Sequence, residues 1–199
     1  MSEALLIIFI RNPRLGKVKT RLAKIIGDEA ALEVYKLLLR HTYKVTKALP
    51  CDKTVYYSEE IARNDLWDAS YQKKTQQGND LGARMHHAFK TAFGAGYKKV
   101  VIIGSDMYHL KPVHLEEAFS LMDSNDAVLG PAADGGYYLL GMKRLHPGIF
   151  KGKAWGTATV LAETLEDLKG VKRHFLETLN DVDTYEDLET ISAFKQFLK

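Results

Sequence analysis

The sequence predicts an α/β fold, a three-layer α/β/α sandwich with a mostly parallel central sheet, on three observations. Ala4 to Ile10 and Val100 to Ile103 are apolar runs without alternation, the habit of strands covered on both faces. Strand-like runs alternate with helix-period stretches along the chain, as in sheets joined by crossover helices. No linker, repeat or low-complexity tract interrupts the 199 residues, and that length suits one domain, read as 1–199, burying roughly 70% of its unfolded surface.

In chain order, Ala4 to Ile10 opens the sheet and feeds the basic stretch Arg11-Asn12-Pro13-Arg14-Leu15-Gly16-Lys17-Val18-Lys19-Thr20-Arg21-Leu22. Asp28 is expected to N-cap a helix from about Glu29 to Ala48, where Leu32, Tyr35, Leu38 and Leu39 recur at helical spacing. Lys53 to Ser58 reads as an alternating strand, and Glu59 to Tyr71 as a short helix with Trp67 packed beneath it. After the turn Gln76-Gln77-Gly78-Asn79, Asp80 caps a helix whose Leu81, Met85, Phe89, Ala92 and Phe93 form one apolar stripe.

The strand at Lys99 ends in Gly104-Ser105-Asp106, and Leu115, Ala118, Phe119 and Met122 mark the helix that follows. Asp126 to Gly130 and Tyr137 to Met142 are strands flanking the loop Pro131–Gly136. Trp155-Gly156-Thr157 is expected to open a helix carrying Val160, Leu161, Leu165 and Leu168 on one side. Val171 to Leu176 is the last strand. Thr184 with Asp187 gives the Thr-x-x-Asp form of a capping box for a closing helix.

Composition excludes several classes. The single Cys51 cannot form an internal disulfide, and no Cys/His cluster has zinc spacing, which suits a reducing compartment. The N-terminus lacks a basic leader and Leu5 to Ile10 is far too short to span a bilayer, so the expectation is a cytoplasmic protein without a membrane span. A net charge of +3 is too mild to imply a nucleic-acid partner.

The distribution of charge says more. Arg11, Arg14, Lys17, Lys19 and Arg21 crowd around Gly16 at the mouth of a buried strand, a self-repelling arrangement that favours an anion, with phosphate the obvious guest. A P-loop is rejected, because the first glycine is missing and Lys19-Thr20 follows Val18. Asp106 arrives just past the carboxyl end of a buried strand, where open α/β sheets bind ligands, and is a natural Mg²⁺ donor or a turn cap. Gly78, Leu81 and Gly82 sit at a helix start that suits either close ligand approach or an ordinary capped turn. Asp134-Gly135-Gly136 suggests a backbone that an acceptor approaches, although hairpins also use Asp-Gly-Gly. Asp181 and Asp183 share one face of an extended segment, a usable metal geometry, with helix capping the plainer role for Asp181. Trp155 and Thr157 read first as packing and an N-cap.

The ordered set of motifs is more specific than any one of them. Arg11-x-Pro13-x-x-Gly16-Lys17-Val18-Lys19-Thr20-Arg21-Leu22, Gln77-Gly78-x-Asp80-Leu81-Gly82-x-Arg84-Met85, Ile103-Gly104-Ser105-Asp106, Gly130-Pro131-Ala132-x-Asp134-Gly135-Gly136-Tyr137-Tyr138-Leu139, Trp155-x-Thr157 and Asp181-Val182-Asp183-Thr184 span Phe9 to Leu188. The chain resembles the nucleotide-diphospho-sugar transferase superfamily of GT-A-like fold, within a bacterial group often labelled glycosyltransferases and related to molybdenum-cofactor and phospholactate guanylyltransferases. The resemblance implies that Arg11, Gly16, Lys19 and Arg21 face the nucleotide phosphates and that Gly78, Leu81 and Gly82 face the nucleotide. It implies Mg²⁺, or Mn²⁺, on Asp106 with Asp183 as second ligand, and an acceptor near Asp134, Gly135, Gly136, Trp155 and Thr157. This chain departs in having Met107-Tyr108 where relatives commonly carry Cys-Pro or a similar pair, and Gly156 where a small hydroxyl residue is expected.

The expected function is metal-dependent nucleotidyl transfer from a nucleoside triphosphate to a small phosphorylated acceptor, with Lys19, Arg21 and Asp106 carrying the chemistry and pyrophosphate leaving. Two alternatives stand beside it: glycosyl transfer from a nucleotide-sugar, and nucleotide binding without catalysis.

Overall fold

The computed structural model describes residues 2–198. Seven strands form one sheet in the order β3-β2-β1-β4-β6-β5-β7. They are β1 (Ala4–Ile10), β2 (Asp52–Tyr57), β3 (Tyr71–Thr75), β4 (Lys99–Ile103), β5 (Ala127–Pro131), β6 (Tyr137–Met142) and β7 (Arg173–Phe175). Pairing is parallel except around β6, which runs antiparallel to both β4 and β5. β6 is reached by the short Pro131–Gly136 loop rather than by a crossover helix, and a hairpin-like return must be antiparallel.

The helices are α1 (Thr20–Ile26), α2 (Asp28–Thr46), α3 (Leu81–Gly94), α4 (Pro112–Leu121), α5 (Val160–Asp167) and α6 (Tyr185–Glu189). They cover both faces and divide the core in two. Odd and even positions of β1 serve opposite sides: Leu6, Ile8 and Ile10 pack with Leu22, Leu38 and Leu115, whereas Leu5 and Ile7 pack with Phe89 and Leu140. That two-sided burial explains the uninterrupted apolar run.

Several expectations are corrected. Asp28 is the first residue of α2, and Gly27 at φ +89° is the cap position, because α1 ends there and the chain must turn sharply between two helices. α1 itself begins at Thr20, inside the stretch read as a basic loop. Glu59 to Tyr71 holds no helix; it is irregular chain ending in β3, although Trp67 is buried against Tyr43 and Tyr71 as expected. β2 is buried from Lys53 onward instead of alternating. Leu81 leaves the α3 stripe and is exposed, and Trp155 to Thr159 form turns ahead of α5 rather than its first residues. Asp80 does cap α3, accepting from Ala83 N at 2.7 Å, and Thr184 and Asp187 make the capping box of α6.

The chain crosses from β1 to β2 on one side and returns as β4 on the other, so a topological switch point lies at the carboxyl ends of β1 and β4, where Arg11 and Gly104–Asp106 emerge.

Candidate active site

Two residues fix the switch point from below. Tyr35, buried on α2, receives Arg11 N–H at 2.8 Å, contacts Arg11 carbonyl oxygen at 3.2 Å and shares a hydrogen bond with Ser105 Oγ at 3.0 Å. One phenol therefore ties the start of the basic loop to the residue before Asp106. Gln76 does the same on the other flank, its Nε2 donating to the carbonyls of Ile10 and Tyr56 at 3.0 Å each. Neither residue carried a local motif, since each acts through partners distant in sequence.

Lys19 stands at φ +48°, ψ +45°, a left-handed conformation unusual for a residue with a Cβ. This kink ends the basic loop, starts α1 and sends the lysine inward, where its side chain is only 3% exposed. Its Nζ lies 2.7 Å from Asp106 Oδ2 and 3.6 Å from Asp183 Oδ1. Arg21, exposed on α1, adds a contact of 3.1 Å to Asp183 Oδ2. Asp183 reaches this place because Val182 N–H donates to Asp106 carbonyl oxygen at 3.1 Å, stitching the segment before α6 to the end of β4. The structure thus brings Lys19, Arg21, Asp106 and Asp183 together.

Two cavities meet there, sharing Phe9, Leu81, Gly104 and Asp106. The larger, about 620 Å³, carries Arg11, Lys17 and Arg84, with Glu59 and Asp80 on the same lining. The smaller, about 300 Å³, is mostly apolar and includes Met107, Tyr137, Trp155 and Thr157, with Asp134 and Asp181 beside the shared Asp106. Burial raises the Asp181 carboxyl above its ordinary value; nearby Lys19 opposes that rise, and Asp134, Asp183 and Asp106 add to it. Asp181 therefore faces the site instead of capping a helix.

The glycines divide by role. A Cβ on Gly78 would stand 2.7 Å from Arg84 N, so the bare backbone lets Arg84 Nε donate to Gly78 carbonyl oxygen at 3.1 Å. Gly82 faces Trp155 and Phe150 rather than either cavity, and a Cβ there would lie 2.3 Å from Phe150 carbonyl oxygen. Gly135 at φ +88° packs against Ala158, while Gly136 N–H donates to Asp134 Oδ1 at 2.9 Å. Gly16 at φ +68° turns the basic loop over Asp28, away from both cavities. Thr157 Oγ1 donates to Ala154 carbonyl oxygen at 2.8 Å, so it braces the turn carrying Trp155. Arg14 is held outside by Glu59 and Glu60.

Met107 and Tyr108, where the chain departs from its relatives' pattern, are well anchored. Met107 is buried, and the Tyr108 ring packs on His41 at 4.8 Å and Phe194 at 5.1 Å.

The donor set suits a divalent cation of the Mg²⁺ type. Asp106 and Asp183 offer oxygen ligands around one point now held by the Lys19 ammonium. Among the described residues no group of three or more His, Cys, Asp or Glu side chains forms an all-protein cage. One or two carboxylates completed by substrate phosphates is the usual Mg²⁺ arrangement.

The chain is 25% identical to 2-phospho-L-lactate guanylyltransferase of Methanocaldococcus vulcanius over 190 residues, covering 94% of this chain and 84% of the relative. It is 32% identical to the protein of that name from Methanocaldococcus jannaschii over 135 residues, 65% of this chain and 56% of the relative. A crystal structure from Desulfovibrio desulfuricans G20, provisionally named a nucleotide-diphospho-sugar transferase, superposes with a TM-score of 0.89 at 35% identity, covering 96% of this chain and 86% of that one. Residues 40–157 match the family described as an uncharacterized protein conserved in bacteria (DUF2064), and with that match over more than half its length the chain belongs to this family, on the nucleotide-diphospho-sugar transferase fold.

Proposed function

We propose that this transferase carries out metal-dependent nucleotidyl transfer, in which an acceptor phosphate attacks the α-phosphorus of a nucleoside triphosphate and pyrophosphate leaves. The observation that carries the reading is the meeting at Asp106 of a polar cavity carrying Arg11, Lys17 and Arg84 with a mostly apolar one that carries no lysine or arginine. A triphosphate belongs against Arg11, Lys17 and Arg84, an acceptor belongs beside Trp155 and Thr157, and their reacting phosphates meet over the Lys19–Asp106–Asp183 cluster. The guanylyltransferase names of two relatives support the same reaction class.

Asp106 and Asp183 would hold a Mg²⁺ or Mn²⁺ ion, which supplies charge neutralisation at the reacting phosphates. The chain's own cations do the rest. Arg11, Lys17 and Arg84 bind and align the phosphate chain, and Lys19 and Arg21 stand where negative charge builds on the leaving pyrophosphate. Tyr35 and Gln76 hold the strand ends so that these groups keep their spacing. No protein nucleophile is needed, because phosphoryl chemistry of this kind rests on positioning and charge stabilisation.

Pyrophosphate release from each triphosphate with a panel of phosphorylated acceptors tests the proposal. Tight binding of nucleotide-sugars without any triphosphate binding would sink it and favour glycosyl transfer. That alternative fits the site less well, because Asp106 has no Asp-x-Asp neighbour and its carboxylate partner comes from a different segment.

A further inference from the structure

Resting on that reading, we infer that the acceptor carries no negative charge beyond its reacting phosphate: a phosphate monoester of an uncharged, hydroxyl-bearing body rather than a phosphorylated carboxylic acid. The two cavities differ in charge. Every lysine or arginine lining the pair belongs to the larger one, and the charged lining of the smaller consists of Asp106, Asp134 and Asp181. Lys19, on neither lining, is already committed to Asp106 and Asp183, and Arg21 turns to Asp183 from outside.

An acceptor carboxylate in this small, mostly apolar space would face Asp134 and Asp181 with no lysine or arginine on the lining to match it. Juxtaposed like charges cost several kcal/mol in such surroundings. A hydroxyl, in contrast, donates to a carboxylate, and a carbon skeleton can lie against Trp155 and Tyr137. Asp134 spends Oδ1 on Gly136 N–H, and no hydrogen bond claims its Oδ2 among those described. Asp181 sits partly buried with its carboxyl lining the same wall. The relatives named for phospholactate must handle a carboxylate; this chain's acceptor cavity is built against one.

The test compares two ligands of matched size, glycerol phosphate and phosphoglycerate, which differ by a hydroxymethyl group against a carboxylate. Binding to the full chain is measured calorimetrically with pyrophosphate saturating the basic cavity. We expect glycerol phosphate to bind about tenfold or more tightly than phosphoglycerate, and the combined Asp134→Asn and Asp181→Asn variant to shrink that ratio severalfold while unfolding as cooperatively as the wild type. Equal or tighter binding of phosphoglycerate, a ratio unchanged in the variant, or no binding of either ligand overturns the inference. The measurement involves no turnover, so failure to release pyrophosphate from triphosphates would defeat the proposed reaction while leaving this charge preference measurable on its own.

Discussion

Lys19 Nζ lies 2.7 Å from Asp106 Oδ2 and 3.6 Å from Asp183 Oδ1, so a buried ammonium already pairs with both carboxylates that would hold a divalent ion. On the proposed function, metal and lysine would compete for one position until a phosphate chain drew the lysine away. Lys19→Met keeps the apolar stem and removes the charge. In the nucleotide-free protein its Mn²⁺ affinity should rise by roughly 5- to 150-fold, the usual span of coupling between sites. Titration followed by electron paramagnetic resonance reads this directly, and an unchanged or weakened affinity would show that the lysine does not compete.

Asp106→Asn keeps the shape of the side chain and removes its charge at the junction of both cavities. Loss of a metal ligand worth several kcal/mol corresponds to a fall in turnover of about 100-fold or more. Pyrophosphate release, assayed beside triphosphate binding, separates this from a failure to bind nucleotide. Wild-type activity in the variant would remove Asp106 from the chemistry.

Which features could be read from sequence follows from how locally each is determined. β1, β4 and β6 were legible because burial on both faces writes an uninterrupted apolar run, and the Asp80 cap and the Thr184–Asp187 box were legible because their partners lie within one turn. β3 was not: as an edge strand with Lys73 and Lys74, it carries its side chains half in solvent and shows no clean period. α1 was hidden because a lysine in the left-handed region starts it, where glycine would be the recognisable signal. The basic loop and the placement of Asp106 after β4 pointed to the switch point. Asp181 offered a metal geometry with Asp183 but read more plainly as a helix cap, and Tyr35 and Gln76 gave no signal, since Val182 reaches Asp106, Tyr35 reaches Ser105 and Gln76 reaches Ile10 only in the folded chain.

Tyr35 is a positioning residue on this geometry. Tyr35→Phe removes only the hydroxyl that joins Arg11 to Ser105, leaving a buried serine and a backbone amide short of a partner. The expected cost is about 1–3 kcal/mol of stability, read by chemical denaturation. A merely structural role would stop there. Because the phenol sets the spacing between the basic loop and Asp106, turnover should fall more than nucleotide affinity does.

Gly82→Ala separates packing from ligand contact. The added methyl would lie 2.3 Å from Phe150 carbonyl oxygen and 2.6 Å from the Trp155 ring, so α3 or the Trp155 turn must move. Overpacking of this kind costs about 1–3 kcal/mol. The melting temperature should drop and acceptor binding weaken with the displaced Trp155, while triphosphate affinity stays near wild type. Selective loss of nucleotide binding would return Gly82 to the nucleotide site.

His41 makes the wall behind Asp106 sensitive to acid. Its ring packs tilted on Tyr108 at 4.8 Å and its Nε2 lies 2.9 Å from Leu110 carbonyl oxygen, so it braces both ends of the segment after Met107. Burial lowers its pKa below the ordinary 6.5, the hydrogen bond to Leu110 opposes that shift, and Lys44 and His109 add to it. A depressed pKa means the folded protein takes up the proton less readily than the unfolded chain. The stability linked to neutral His41 is present above pH 6.5 and is lost as pH falls through the lowered folded value. His41→Gln retains a donor toward Leu110 and cannot titrate. Between neutral and mildly acid pH the wild-type melting temperature should fall further than that of the variant; parallel curves would mean that His41 takes no part in the acid response.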